Sequence, residues 1–352
     1  MDTPKRILII RPSALGDVCR SVPLAAAIKE HYPNSEIHWL VNAPFTPVLE
    51  AHPAIDRVIP FDRKALGKQS RRLNLAPIVG FLRSLRAQKY DIVIDAQGLA
   101  RSGLFAFASG APIRIGHADA RELGWLGLSR RVTPTPGEHT VDRMMSLLKP
   151  MGIEVTDPDM RLYAHERDQS WRASQPELSE PYIVFAPTSL WPGKRWPIER
   201  FATLARRLVE QGHRIAVVGA PGEESQCAPL LALGSEGLPV FDLVGKTTVG
   251  QMLAVIAGAG LVLANDSAAL HMAVGFDRPI VGLFGPTRTD LVGPYRQNDA
   301  VLQHVTPDDR LDHKDAAAGQ QLMDRIQTSE VLIRIETLLD RSAERSSRQP
   351  VS

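Results

Sequence analysis

The chain has 352 residues, with 41 lysines and arginines against 39 aspartates and glutamates, and its formal net charge is +2. This length suggests two domains, because one domain usually holds ~100–200 residues. The hydrophobic share of 44% and the charged share of 23% exclude a disordered or collagen-like chain, and the balanced charge argues against a DNA-coating protein.

Short apolar runs alternate with helix-like stretches along most of the chain. The first half carries runs at residues 7–10, 37–41, 58–59 and 92–94, with helical patterns at about 18–31, 73–88 and 99–109. The second half carries runs at residues 182–185, 215–218, 240–243, 261–264 and 280–284, again separated by helical segments. Continuous apolar strands that alternate with helices predict parallel sheets covered on both faces.

This pattern occurs twice, and a polar segment at residues 175–181 separates the two copies. The sequence therefore predicts an α/β protein in which two doubly wound parallel-sheet domains, both Rossmann-like, face each other across a central cleft. We expect domains over residues 1–175 and 182–327, a helix at 328–341 whose packing partner the spacing leaves open, and a flexible tail at 342–352.

Ligands bind outside the carboxyl ends of strands in open parallel sheets, so the loops after the apolar runs are candidate sites. The first such loop, residues 11–17, contains Gly16 and ends at Asp17, where a helix is expected to begin. Asp17 is either the N-cap of that helix or a base that takes a proton from an acceptor hydroxyl. The residue types alone favour the cap, because such caps are common.

Residues 63–89 hold eight basic side chains and no acidic one. The run explains an uneven distribution of charge: residues 1–178 hold 24 basic and 19 acidic side chains, and residues 179–352 hold 17 and 20. A solvated basic face is one interpretation. The other is an anionic partner such as a phosphorylated glycolipid at a bilayer, where each basic residue contributes ~1 kcal/mol. Nucleic acid is disfavoured, because Phe81 is the one aromatic residue in the run.

The loop at residues 186–197 combines hydroxyls, a glycine and the adjacent cations Lys194 and Arg195. Such a combination suits a phosphate group, which needs hydrogen-bond donors and positive charge. The alternative is a solvated cation pair. The turn at residues 219–224 resembles a nucleotide-binding turn without being GxGxxG, which is weak evidence. Its Glu223 either accepts hydrogen bonds from ribose hydroxyls or favours a helix N-terminus.

Asn265, Asp266 and Ser267 lie where a strand is expected to end and a helix to begin. The free N–H groups and the positive dipole end of that helix form an anion site. His271 lies one turn further along the same face, either as a ligand contact or as a core histidine. No Asp-x-Asp pair or His/Asp cluster at metal-ligand spacing occurs in these loops, so we expect no metal.

The cysteines and the N-terminus bear on the compartment. Cys19 and Cys227 exclude a disulfide framework and offer no metal-ligand spacing. The apolar run at residues 7–10 is too short for the core of a signal peptide, and no stretch approaches the ~18 apolar residues of a membrane span. We therefore expect a cytoplasmic protein in a reducing compartment.

Four separated motifs together resemble glycosyltransferase family 9, the heptosyltransferases. They are residues 13–17 with Pro23 beyond, 194–197, 265–271 and 284–287. The resemblance implies the GT-B architecture, with an N-terminal domain for the acceptor and a C-terminal domain for an ADP-heptose donor. It also implies inverting, metal-independent transfer to the inner core of lipopolysaccharide, without a cofactor and with peripheral contact at the cytoplasmic face of the inner membrane.

Residues 95–99, 118–122 and 139–143 resemble heptosyltransferase I, which adds the first heptose to Kdo-lipid A, whereas residues 265–267 are closer to heptosyltransferase II. One position departs from the family: Ala268 stands where a glycine is usual, beside the expected diphosphate. Its Cβ would narrow the approach or shift the donor preference.

The resemblance also implies roles for individual residues. Asp17 matches the proposed general base, and Lys194 would stabilise charge on the leaving diphosphate. The implied donor-binding residues are Thr188, Ser189, Glu223, Lys246, Thr247, Asp266, Ser267, Ala268 and His271. The implied acceptor-binding residues are Ser13, Arg63, Lys64, Arg71, Arg72, Gln97, Arg121, His139 and Arg143.

Other functions remain as alternatives. Within the family these are heptosyltransferase II activity, or another nucleotide-sugar donor with another glycan acceptor. A two-domain nicotinamide oxidoreductase would need GxGxxG after a strand, and residues 11–17 contain one glycine. A secreted two-lobed sugar-binding protein would need a signal peptide.

Overall fold

The computed structural model describes residues 3–62 and 76–348. The chain divides into two compact units, Met1–Tyr163 and Ala164–Ser352. Each unit is built on one six-stranded sheet in which every strand pairing is parallel. The prediction of two parallel-sheet α/β domains is therefore confirmed.

The strands of the first unit follow the order β3-β2-β1-β4-β5-β6 across its sheet. They are β1 (Arg6–Ile10), β2 (Glu36–Asn42), β3 (Arg57–Phe61), β4 (Ile92–Asp95), β5 (Ile113–His117) and β6 (Arg130–Val132). The helices are α1 (Leu15–Ser21), α2 (Pro23–His31), α3 (Pro47–Glu50), α4 (Ala76–Ala87), α5 (Ala100–Ala108) and α6 (Thr140–Ser146). This strand order is that of dinucleotide-binding folds, and it reverses direction between β1 and β4.

The second unit repeats the topology, with the strand order β12-β11-β10-β7-β8-β9. Its strands are β7 (Ile183–Ala186), β8 (Ile215–Val217), β9 (Val240–Asp242), β10 (Leu261–Asn265), β11 (Ile280–Leu283) and β12 (Val301–Leu302). Its helices are α7 (Glu166–Ala173), α8 (Ile198–Glu210), α9 (Ala228–Ser235), α10 (Val249–Ala257), α11 (Ala268–Gly275), α12 (Thr289–Val292), α13 (Ala316–Asp324) and α14 (Thr328–Arg348). Here the order reverses between β7 and β10.

The helix expected at 18–31 is two helices. It begins earlier, at Leu15, and it is interrupted because Pro23 has no N–H to continue the hydrogen-bond ladder of α1. Pro23 instead occupies the first position of α2, which proline tolerates well. Asp17 consequently lies inside the first turn of α1 and is not its N-cap; the N-cap is Ala14.

The boundary between the units lies before the predicted linker. Helix α7 falls within the range expected for the first domain, but it packs against α10 in the second unit. Asp168 of α7 is buried against Gly250 of α10, where the close approach leaves no room for a Cβ. The polar segment at residues 175–181 is therefore a surface connection within the second unit, and its composition does not mark the boundary.

The C-terminal helix α14 belongs to the core of the second unit. Val331 and Ile335 are fully buried in the same hydrophobic cluster as Phe201 and Leu204 of α8. The backbone remains helical to Arg348, so the tail expected at 342–352 is helical over most of its length. No helix among residues 3–62 and 76–348 is long and apolar enough to cross a membrane.

Candidate active site

Four loops stand at the two points where strand order reverses. In the first unit they follow β1 and β4, and in the second unit they follow β7 and β10. Neighbouring strands that continue in opposite directions leave a crevice at their carboxyl ends, which is where α/β sheets bind ligands. These loops, together with the starts of the helices that follow them, carry half of the residues that the sequence predicts as functional.

Asp17 is held between two arginines in the first unit. Its Oδ2 lies 2.8 Å from Arg11 Nη2, and its Oδ1 lies 2.5 Å from Arg20 Nη2. The carboxylate also accepts a hydrogen bond from the backbone N–H of Ala14 at 3.3 Å. Burial by itself would raise the pKa of Asp17, but the two guanidinium groups outweigh it and lower that pKa. Asp17 is therefore ionised at neutral pH.

Asp95, at the end of β4, organises the neighbouring loop. It is fully buried, and its Oδ1 accepts hydrogen bonds from the backbone N–H groups of Gln97 and Gly98, both at 3.0 Å. Its Oδ2 accepts from Ser102 Oγ at 2.9 Å. Burial raises the pKa of Asp95 to about 6. Gln97 Oε1 in turn accepts from the backbone N–H of Ser13 at 3.1 Å, which joins the two loops.

The other predicted acceptor residues lie on the same unit. Arg121 is exposed, and its backbone N–H donates to Gly98 O at 2.9 Å, beside Gln97. Arg143 forms a 2.6 Å ion pair with Asp119. His139 is the N-cap of α6, where its Nδ1 accepts from the N–H of Val141 at 3.2 Å. The predicted residues Arg63, Lys64, Arg71 and Arg72 lie outside the described residues.

Lys194 and Asp266 form the central ion pair of the second unit. Lys194 Nζ lies 2.6 Å from Asp266 Oδ2, and the same oxygen accepts a 2.8 Å hydrogen bond from Thr287 Oγ1. Burial would raise the pKa of Asp266, but the Lys194 ammonium and the Thr287 hydroxyl lower it. Three loops, after β7, β10 and β11, therefore meet at one carboxylate.

Three sets of contacts hold the Lys194 loop in place. Asn265 bridges it, with Nδ2 donating to Pro187 O at 2.6 Å and Oδ1 accepting from the N–H of Trp196 at 3.2 Å. On its other side, Gly193 lies against Gly319 of α13, where a Cβ on Gly319 would stand 2.6 Å from Gly193 O. Trp196 Nε1 also donates to Ile326 O at 3.0 Å. Lys194 is thus supported by the strand behind it and by the chain beyond α13.

Ser267 is the N-cap residue of α11, yet its side chain makes no capping bond. Its Oγ is buried and has no hydrogen-bond partner among the described residues. Ala268 is the first residue of the helix, and His271 lies one turn further in and is buried. The free N–H groups of this turn and the unused hydroxyl together suit an anion next to Lys194.

The remaining predicted donor residues lie in the loops after β7, β8 and β9. Thr188 and Ser189 are buried. Glu223 Oε2 accepts from the N–H of Ala220 at 2.8 Å, Lys246 is paired with Asp242 at 2.6 Å, and the neighbouring Thr247 is partly buried. All of these loops leave the carboxyl edge of the second sheet.

Several residues of the site have no role predicted from the sequence. They are Arg11, Arg20, Asp95 and Thr287. Asp95 carries a usable signal, a carboxylate directly after an apolar strand. The two arginines carry none, because their convergence on Asp17 depends on the turn into α1. Within residues 3–62 and 76–348, no group of three or more His, Cys, Asp and Glu side chains is arranged to hold a metal ion.

Comparison with known proteins identifies the family. The family model described as glycosyltransferase family 9 (heptosyltransferase) matches residues 78–318. Lipopolysaccharide heptosyltransferase 2 of Escherichia coli strain K12 is 30% identical over 348 residues, which cover 95% of this chain and 98% of the relative. Lipopolysaccharide heptosyltransferase 1 of Salmonella typhimurium is 30% identical over 324 residues, which cover 89% of this chain and 98% of that relative.

Solved structures agree with these relatives. The structure of the E. coli ADP-heptose lipopolysaccharide heptosyltransferase II matches with a TM-score of 0.79 at 26% identity. The match covers 96% of this chain and 99% of the E. coli chain. E. coli heptosyltransferase WaaC with ADP has a TM-score of 0.75 at 26% identity, with coverages of 95% and 99%. Its two six-stranded parallel sheets match the GT-B fold of these enzymes, and the chain belongs to glycosyltransferase family 9 and is a glycosyltransferase.

Proposed function

We propose that this enzyme moves a heptose from ADP-heptose to the inner core of lipopolysaccharide, with Kdo-lipid A as acceptor, with inversion at the anomeric carbon and without a metal ion. The names of the two relatives at 30% identity support the transfer of heptose and the acceptor class, and the solved E. coli ADP-heptose lipopolysaccharide heptosyltransferase II supports the donor. Residues 95–99, 118–122 and 139–143 support the heptosyltransferase I acceptor. Heptosyltransferase II activity is the second candidate, because the sequence of residues 265–267 is closer to that enzyme.

The observation that carries the proposal is the group of hydrogen-bond donors gathered at the start of α11. Lys194 is held beside the first turn of that helix, where Ser267 Oγ has no partner among the described residues. A diphosphate gains negative charge when the bond to the sugar breaks. An ammonium, backbone N–H groups and a free hydroxyl would stabilise that charge in the transition state, as a metal does in other transferases. Thr188 and Ser189 would contact the same diphosphate.

Asp17 would act on the acceptor. The acceptor oxygen forms a bond to the anomeric carbon while the bond from that carbon to the ADP phosphate oxygen breaks, and the hydroxyl proton passes to the Asp17 carboxylate. Attack from the face opposite ADP inverts the configuration. Because Arg11 and Arg20 lower the pKa of Asp17, the carboxylate is ionised but holds a proton weakly. Proton transfer would therefore accompany bond formation, when the hydroxyl is most acidic.

The remaining predicted residues have parts in this proposal. Glu223, Lys246 and Thr247 would contact the nucleoside, and Asp266, Ala268 and His271 the sugar and phosphates. Ser13, Gln97, Arg121, His139 and Arg143 would bind the acceptor. The basic side chains of residues 63–89 would meet its anionic headgroup at the cytoplasmic face of the inner membrane.

The decisive experiment is incubation with ADP-heptose and Kdo-lipid A in the presence of EDTA, followed by mass measurement of the lipid. We expect the mass of one added heptose and release of ADP. A parallel reaction uses an acceptor that already carries one heptose. Product from this second acceptor alone would establish heptosyltransferase II activity. Failure of both acceptors with or without magnesium would overturn the donor or acceptor assignment.

A further inference from the structure

Four large apolar side chains lie exposed together on the first unit. Leu104 and Phe107 of α5 are 48% and 63% exposed, and Leu123 and Leu126, beside and within the turn Gly124–Gly127, are 63% and 60% exposed. They line one shallow groove. We name these four residues the apolar patch. Single exposed leucines are common on protein surfaces, but a cluster of this size marks an interaction site.

The apolar patch is built by close backbone packing. Gly103 of α5 lies directly against Gly124 and Gly127, and a Cβ on any of the three would collide with the facing backbone. Because the turn sits on the helix without intervening side chains, it brings its leucines level with Leu104 and Phe107. The groove between them therefore has a rigid floor.

The backbone before the turn has an unusual conformation at the exposed Leu123. Glu122 and Leu123 have φ angles of +56° and +61°, in the left-handed region that disfavours residues other than glycine and asparagine. Holding two such residues in succession costs free energy. Burial of the Leu123 side chain does not offset this cost, because that side chain faces solvent.

Two arginines, Arg114 and Arg131, border the apolar patch. Arg114 Cζ lies 5.9 Å from the centroid of the Phe107 ring, and its Nε donates to Gly127 O at 2.7 Å. Arg131 Cζ lies 4.4 Å from the ring centroid of Trp125, inside the turn. Glu122 is the acidic residue that lines the same groove, so Arg114 and Arg131 leave this region with a net positive charge.

We propose that the apolar patch inserts into the surface of an anionic lipid bilayer, with Arg114 and Arg131 at the level of the lipid phosphates. Apolar side chains bordered by cations match the two layers of such a surface, acyl chains below and phosphates above. A protein partner of equal fit would have to present acidic groups around an apolar centre.

The position of the apolar patch agrees with a lipid-linked acceptor. Arg121 joins this segment to the Gln97 loop through the hydrogen bond from its N–H to Gly98 O. A glycolipid whose sugar lies at Gln97 would have its acyl chains beside the patch. This inference rests on the proposed function for the identity of the lipid, whereas contact with an anionic bilayer is measured without donor or acceptor.

The test is co-sedimentation of the full-length protein with vesicles of phosphatidylcholine and phosphatidylglycerol in equal parts, and with vesicles of phosphatidylcholine alone. The variant Phe107→Ser/Leu123→Asn removes two anchors, and asparagine suits the left-handed backbone, so the fold is retained. We expect binding to the mixed vesicles to fall about tenfold or more in this variant. Ile333→Ser, at an equally exposed apolar residue of α14, is the matched control and should bind as the parent does.

The outcomes separate the possible occupants. Weaker binding of Arg131→Gln to the mixed vesicles would support the role of the bordering arginines. Equal binding of the parent and Phe107→Ser/Leu123→Asn would overturn the proposal. It would also be overturned if the parent binds no vesicles and instead forms a dimer that this variant abolishes, because the patch would then meet a second copy. Transfer to a delipidated acceptor tests the proposed function separately, and this variant should retain it.

Discussion

Lys194 Nζ lies 2.6 Å from Asp266 Oδ2, so two residues expected to contact the donor are bonded to each other. The pair joins the loops after β7 and β10, at the point where strand order reverses. Both side chains are largely buried, and Thr287 donates to the same oxygen. The ammonium is thus oriented before any donor arrives, and little reorganisation would be needed when charge develops on a diphosphate.

Replacement of Lys194 by alanine should lower kcat about 10²–10³-fold, because one preorganised donor to the leaving group is lost. The KM for the donor should rise and the KM for the acceptor should stay the same. Steady-state kinetics with each substrate varied in turn measure this division. Arg206→Ala, which breaks an exposed ion pair with Glu236 in the same unit, is the control and should leave all constants unchanged. An effect confined to the acceptor KM would contradict the placement of Lys194.

The variant Ser267→Ala should lower the affinity for ADP several-fold without lowering the free energy of unfolding. Ser267 Oγ has no partner among the described residues, so its removal breaks no bond within them. Thr248→Ala is the matched control, since Thr248 Oγ1 accepts from the N–H of Gln251 and caps α10. It should cost about 1 kcal/mol of stability and leave ADP binding unchanged. Calorimetric titration and thermal unfolding together check both results. Equal loss of stability in the two variants would argue against an anion site at Ser267.

The variant Asp17→Asn should lower kcat about 10²–10⁴-fold if Asp17 takes the acceptor proton. It should also destabilise the first unit, because Arg11 and Arg20 would face each other without their shared anion. Since the folded pKa lies below 3.8, the contribution of this cluster to stability is present above that pH and lost below it. The pH profile of kcat/KM should therefore show no ionisation of Asp17 above about pH 4. A folded variant with near-normal turnover would refute the assignment.

The raised pKa of Asp95 predicts the opposite dependence of stability on pH. Its pKa is raised from 3.8 to about 6, so the folded protein binds this proton more tightly than the unfolded chain does. Its contribution to stability therefore falls as the pH rises from about 4 to about 6 and is constant above that range. Asp95→Asn keeps acceptors for Gln97 and Gly98 and can donate to Ser102. As the pH rises from about 4 to about 7, the free energy of unfolding of this variant should increase by roughly 3 kcal/mol relative to that of the parent. Denaturant unfolding measures this difference. Parallel pH profiles for the two proteins would contradict this prediction.

The strands that carry the site were predictable because they are unbroken apolar runs, as in β1 and β10. Strand β6 was not, because Arg130 and Arg131 make up most of it, and as an edge strand it leaves those side chains partly exposed. Strand β5 was missed for a similar reason, since Arg114 interrupts its apolar pattern.

The site likewise has residues that the sequence predicts and contacts that it does not predict. Asp17, Lys194 and Asp266 were recognisable from their places after strands and from the family resemblance. The contact between Lys194 and Asp266 was not recognisable, because it depends on which strands are neighbours in the sheet. Sheet order is decided by packing across the whole unit, and local residue patterns do not encode it.

The close approach of Gly193 and Gly319 has a consequence for the order in which the enzyme is made. Lys194 is translated long before α13, yet the loop that carries it gains its support from Gly319 and Ile326. A nascent chain that has just completed α11 already contains Lys194 and Asp266, but it lacks the residues that pack behind the Lys194 loop. Support of that loop is therefore completed late in synthesis, after Gly319 and Ile326 have left the ribosome.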